Sequence, residues 1–158
     1  MGAMSRDPRK SEFMPDFQTD PRILQTAEPL ASLKLCEAYI QGDARWPWIV
    51  LVPRTAGARE IDHLAAKDRL QLMDEIVAAG AAVRAIGAAF GRPVEKLNVG
   101  ALGNVVPQLH VHVIGRRSDD PTWPQPAWGV PGATIYAAAD LETARDAVAM
   151  ALDTVRRK

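Results

Sequence analysis

The chain has 158 residues, enough for one domain with a substantial hydrophobic core. Its 19 Lys and Arg balance 19 Asp and Glu, which argues against the basic face that broad nucleic-acid binding needs. No apolar run approaches the roughly 20 residues of a membrane span, the N-terminus lacks the apolar core of a secretory signal, and the single cysteine, Cys36, excludes an internal disulfide; the expectation is a soluble, cytoplasmic protein.

Met1-Gly2-Ala3-Met4 reads as a cloning remnant before a second start. Residues 1–22 are polar and dotted with Pro8, Pro15 and Pro21, and read as a flexible arm. Leu33 to Gln41 alternates as a strand, Gly42-Asp43 signals a turn, and Trp48 to Val52 reads as a strand buried on both faces. Cys36 sits in an apolar-leaning segment and reads as a small buried residue.

Residues 66–90 carry Leu72, Met73, Ile76, Val83, Ile86 and Phe90 at helical spacing, with Gly80 on the same stripe, where another element could approach closely. Gly91 and Pro93 end the helix. Two further strands, 96–102 and 105–114, flank Gly103-Asn104 and are expected to pair antiparallel. Residues 119–132 hold four prolines with Trp123 and Trp128, a stiff loop with aromatic anchors. Asp140 caps a last helix, whose C-terminal Arg156, Arg157 and Lys158 complement the helix dipole. Helices and hairpins in this order imply an α+β domain on an antiparallel sheet.

The most informative segment is Gln108-Leu109-His110-Val111-His112-Val113-Ile114. Strand alternation puts Gln108, His110 and His112 on one face and Leu109, Val111 and Val113 on the other. Two imidazoles on one face admit three readings. A neutral imidazole can attack phosphorus while its neighbour bonds a phosphoryl oxygen, with Asn98, Asn104 and backbone N–H groups near Gly103 as further donors. A shared metal would need a third ligand, and His63 is remote while no Cys, Asp or Glu lies in the strand. A nucleotide-binding module without turnover needs the same donors as the enzyme. Elsewhere, His63 reads as a surface or capping residue, Asp43 as a turn residue with a ribose contact as the minor alternative, most of the tryptophans as packing, and Arg116 and Arg117 as a solvated strand end or an attractor of polyphosphate.

The motif resembles that of the histidine triad (HIT) superfamily, His-Φ-His-Φ-His-Φ-Φ with Φ apolar. Asn98-Val99-Gly100 and Gly103-Asn104-Val105-Val106-Pro107 are similar to the family's lead-in, and the resemblance runs from about Leu33 to Arg116. It implies a HIT-like fold: an antiparallel sheet of about five strands, one long helix and a C-terminal helix. The HIT domain would span 23–118, with the Pro/Trp-rich loop and last helix of 119–158 packed on it. By the same resemblance His110 attacks the α-phosphate, His112 bonds it at the reacting centre, and Asn98 and Asn104 hold phosphate oxygens. The base would lie near Ile40 or Trp48, and Asp43 belongs to a hairpin near which family members bind the nucleoside.

The implied function is nucleotidyl hydrolysis or transfer on a dinucleoside polyphosphate, phosphoramidate or nucleotide sugar through a nucleotidyl-histidine. No cofactor or metal is required, although Mg²⁺ can ride on a polyphosphate. The resemblance also implies a homodimer with the long helices in contact. Gln108 is the departure, standing where the family has its first histidine. It cannot titrate but can still orient by hydrogen bonds. Glutamine here, with a loop like Asp120-Pro121-Thr122-Trp123-Pro124, is similar to a bacterial subgroup of the superfamily. The same departure favours the alternative, a non-catalytic nucleotide sensor or interaction protein.

Overall fold

In chain order the elements are α1 (Pro21–Leu24), β1 (Ala27–Ser32), β2 (Cys36–Gln41), β3 (Trp48–Pro53), α2 (Ala66–Ala89), β4 (Lys96–Gly100), β5 (Val111–Arg116) and α3 (Ala138–Arg156). The computed structural model describes residues 17–156, so most of the expected N-terminal arm and the basic pair Arg157-Lys158 lie outside the described residues. The five strands form one antiparallel sheet in the order β1-β2-β3-β5-β4, which puts the motif strand β5 inside the sheet.

The two faces of the sheet have different tasks. Cys36, Ala38, Ile40, Ile49, Leu51, Val111 and Val113 point toward α2 and α3 and form the main core. Tyr39, Trp48, Val50, Val52 and Ile114 point the other way and pack with Ile23 and Ala127. Opposite residues of an antiparallel pair share a face. His112 opposes Val50 on one side and Gly100 on the other, so it belongs to this second face. The motif's alternation therefore splits as expected, with Leu109, Val111 and Val113 in the helix-side core. Burial pushes the Cys36 thiol far above its usual range, and the neighbouring Glu75 adds to this; such a thiol is not a nucleophile.

The structure corrects several expectations. β1 had no sequence signal: it is short of β-branched residues and contains Pro29. An edge strand tolerates a proline, and the register shifts there between Pro29 and Ala31. Residues 17–22, expected in the loose arm, are docked: Thr19 Oγ1 lies 2.6 Å from the Tyr39 hydroxyl, and Phe17 packs on the second face. The motif strand starts at Val111 instead of 105, so Gly103 and Asn104 sit in a longer connection between β4 and β5. α3 begins at Ala138, which places Asp140 in its first turn, not at its cap.

On α2, Leu72, Val83 and Ile86 are buried, but Met73 is 58 % exposed. Gly80 faces inward: a Cβ there would stand 2.8 Å from Leu97 Cδ1, so the missing side chain admits β4 of the same subunit rather than a second helix. Among the described residues no helix is long and apolar enough to cross a membrane.

Candidate active site

His110 and His112 are brought together at the start of β5, with ring centroids 4.9 Å apart and planes at 75°. His110 Nδ1 lies 2.7 Å from the Gln108 carbonyl oxygen. A carbonyl only accepts, so Nδ1 carries the proton and Nε2 of the neutral ring keeps its lone pair. His112 Nδ1 accepts a 3.0 Å hydrogen bond from the Trp48 indole N–H. The indole only donates, so the proton of neutral His112 sits on Nε2. The adjacent rings thus hold opposite tautomers, one presenting a lone pair and the other an N–H.

Trp48 is itself fixed by edge contacts to Trp46, Trp128 and His112. Trp128, from the Pro/Trp loop, reaches His112 because Gly100 has no side chain; a Cβ there would meet its indole at 3.3 Å. Sequence reasoning placed Trp48 near the base but missed its bond to His112, and it missed Trp128 at the histidine pair. The strand register that brings Trp48 close to His112 involves a residue 64 positions away, and packing is the commoner use of tryptophan.

Gln108 is engaged away from the rings. Its Oε1 accepts from Asp20 N–H at 2.7 Å and its Nε2 donates to the Gln18 carbonyl at 3.0 Å. The carboxamide thereby clips residues 18–20 against the motif. Arg22 adds a bond to the Val105 carbonyl, and it also pairs with Asp20, whose carboxyl it holds down at about 2. A histidine cannot reproduce the clip, because its two nitrogens diverge. Gln108→His is expected to raise amide hydrogen exchange across residues 18–24 while leaving α2 protected, as read by mass spectrometry.

Asn98 shares the histidine face, opposite Ile114. Its Oδ1 accepts from Arg116 at 2.8 Å, which leaves its amide N–H₂ as the free donor. Arg116 is buried in an ion pair with Asp120, and Arg117 pairs with Asp119, so neither is a loose polyphosphate attractor. Gly103 and Asn104 are joined to neither histidine by a hydrogen bond, and Asn104 is exposed in the connection. Asp43 is tied to Arg45 and to the Thr134 N–H, a clasp between the β2–β3 turn and the later loop. His63 is exposed and accepts from the Arg59 N–H. Among the described residues no group of three His, Cys, Asp or Glu is placed to hold a metal ion.

Burial, with the charge of His110 as the second cause, lowers the His112 pKa from 6.5 to about 4. An unfolded chain takes up this proton near 6.5, whereas the folded ring resists it until about 4. Its contribution to stability is therefore complete above pH 6.5 and falls by about 3 kcal/mol as the pH drops to 4. Urea midpoints across that range should show the loss in the parent protein and a flatter profile in His112→Gln.

The HIT domain model matches residues 25–119. The chain belongs to the HIT family. HIT proteins are generally nucleotide-binding proteins, nucleotidyl hydrolases or transferases. A crystal structure of a histidine triad protein from Bradyrhizobium japonicum is similar over 87 % of this chain and 99 % of its own, at 36 % identity and a TM-score of 0.81. One from Sinorhizobium meliloti matches over 89 % and 100 %, at 38 % identity and a TM-score of 0.79. A third, from Marinobacter aquaeolei, matches over 88 % and 98 %, at 34 % identity and 0.77. No curated protein matches the chain. The antiparallel five-stranded α+β architecture is that of the HIT fold.

Proposed function

We propose that this HIT protein is a cytoplasmic nucleotidyl hydrolase or transferase acting at the α-phosphate of a nucleotide, through a nucleotidyl-histidine on His110. The observation that carries this reading is the pair of opposed tautomers. His110 Nε2 is a free nucleophile because its Nδ1–H is bonded to the Gln108 carbonyl. His112 Nε2–H is a neutral donor for a phosphoryl oxygen because Trp48 occupies its Nδ1.

Attack forms the Nε2–P bond and breaks the bond from phosphorus to the leaving group, which takes the electron pair. Water then attacks phosphorus, the N–P bond breaks, and its pair returns to Nε2. The monophosphate leaves, and the proton of the water passes to solvent. The Asn98 N–H₂ and a rearranged Gly103-Asn104 connection supply further donors to the phosphate chain. No metal takes part in the covalent steps; Mg²⁺ enters bound to a polyphosphate substrate.

A cleft of about 560 Å³ between the first hairpin and residues 127–141 is the size of a small-molecule site and has Trp48 in its wall. It is the best place for the nucleoside, with Gln41, Val130 and Tyr136 also in the lining. Ile40 is not available for the base, since it is fully buried on the helix side. Mononucleotide release from a panel of dinucleoside polyphosphates, phosphoramidates and nucleotide sugars tests the reading. Tight nucleotide binding with no release would instead favour a sensor.

The functional unit we propose is a homodimer. Leu70, Met73 and Val77 expose an apolar stripe along α2, and Val99 is exposed on the edge strand β4. A second copy related by a two-fold axis would cover the stripe and pair with the free strand edge. Val77→Glu is expected to shift the protein from dimer to monomer by light scattering.

A further inference from the structure

Two tryptophans, Trp46 and Trp128, have a buried indole N–H that meets no acceptor among the described residues. Buried donors are nearly always bonded, and one without a partner has given up water with nothing in exchange. Trp46 is 1 % exposed and lies beneath the Arg45 guanidinium. Trp128 stands at the histidine pair instead, edge-on to His112 with ring centroids 5.9 Å apart. A Cβ on Gly100 would meet Cζ2 and Cη2 of this indole at 3.3 Å each, and Cζ2 is only two bonds from Nε1. The ring thus turns its nitrogen-bearing side toward the strand. Gly100 opposes His112 in the β4–β5 ladder, and Asn98, two residues earlier, shares its face. The unpaired N–H therefore belongs to the same patch as the His112 Nε2–H and the free Asn98 amide.

The loop around Trp128 is pinned on both sides. Arg116 holds the Gln125 carbonyl at 2.8 Å, and Arg45 holds the carbonyls of Val130 and Pro131 at 3.1 and 3.0 Å. Between the pins, Ala127, Gly129 and Val130 line the cleft assigned to the nucleoside. We propose that Trp128 is a further substrate-binding residue, whose indole N–H donates to a non-bridging oxygen of the α-phosphate. A nucleotide seated in the cleft bears on the residues either side of Trp128 and turns the indole, so the donor that is unpaired in the empty protein gains its acceptor from the substrate. The choice of that oxygen rests on the α-phosphate reading above. The bond strengthens as negative charge builds on the phosphoryl oxygens in the transition state, which makes Trp128 a third donor beside His112 and Asn98.

The experiment has two arms on the full chain. In the first, the indole N–H signals of nitrogen-labelled protein are followed by NMR during titration with AMP and, separately, with adenosine; Trp128→Phe assigns the signal of interest. The Trp128 N–H should move downfield and exchange more slowly with AMP and stay in place with adenosine, which has no phosphate. In the second, Trp128 is replaced by benzothienylalanine, in which sulfur takes the place of the N–H and the ring keeps its shape. The kcat/KM of the best substrate should fall by about 100-fold, the usual worth of one such donor. The urea midpoint should not fall, because no bond within the protein is lost. A Trp128 signal unmoved by AMP while that of Trp48 moves, or an equal shift with adenosine, would overturn the contact. So would parental turnover by the benzothienyl protein, or a lowered urea midpoint, which would reveal a partner within the fold. An AMP-specific shift in a protein that turns over no substrate would uphold the Trp128 contact and overturn the nucleotidyl-transfer reading instead.

Discussion

His110→Ala is expected to lower kcat by at least about 10³-fold on the best substrate of the panel, because it deletes the proposed nucleophile of the covalent intermediate. The loss should appear in kcat and not in nucleotide affinity. His110 lies just before β5, and the lining of the proposed nucleoside cleft beside Trp48 does not include it. Single-turnover kinetics and equilibrium titration of a nucleoside monophosphate separate the two effects. His112→Gln, by contrast, keeps an oxygen to accept from the Trp48 indole and an N–H to offer phosphate, so a smaller loss is expected there. Equal activity of His110→Ala and the parent would remove the nucleophile from the account.

The largest effect on stability is expected at Arg116. Its side chain is 1 % exposed and that of Asp120 2 % exposed, and they share a two-pronged ion pair with Nε–Oδ2 at 2.7 Å and Nη2–Oδ1 at 3.0 Å. The same guanidinium donates to Asn98 Oδ1 and to the Gln125 carbonyl at 2.8 Å each. Burial works against the Asp120 charge, yet hydrogen bonds from Arg116 and from the Thr122 and Arg117 N–H groups hold its carboxyl at about 2.

Arg116→Leu therefore leaves a buried carboxylate with no cation and should cost about 3–5 kcal/mol in chemical denaturation. Arg116→Leu/Asp120→Leu should cost less than the single change, because no charge is then left unpaired. The single variant should also lose activity beyond its lost stability. Arg116 sets the rotamer of Asn98 and anchors the loop that carries Trp128 against His112. A double variant no more stable than Arg116→Leu would show that the pair's charge is not what makes Arg116 matter.

Local signals served the sequence reading well where a segment's own pattern decides its place. The period of α2, the buried run of β3 and the alternation through Val111 and Val113 correspond to the observed elements. They failed where a distant partner decides. β1 is held by pairing with β2 in spite of Pro29. Met73 sits at a position in the helical period that reads as core but faces outward. Gln108 could be seen as a departure from the triad, but its partners, Gln18 and Asp20, lie about ninety residues earlier. The pairing of Trp48 with His112 follows from the order β3-β5-β4, which no local pattern encodes. The histidines were legible as chemistry; what fixes their tautomers was not.

The central claim is a covalent nucleotidyl-histidine. The direct measurement is intact and peptide mass spectrometry of protein mixed with a diadenosine polyphosphate and quenched in alkaline denaturant within one turnover. The account predicts an added adenylyl group on the peptide that contains His110, absent in His110→Ala. Steady release of AMP with no adduct on that peptide at any quench time would contradict it.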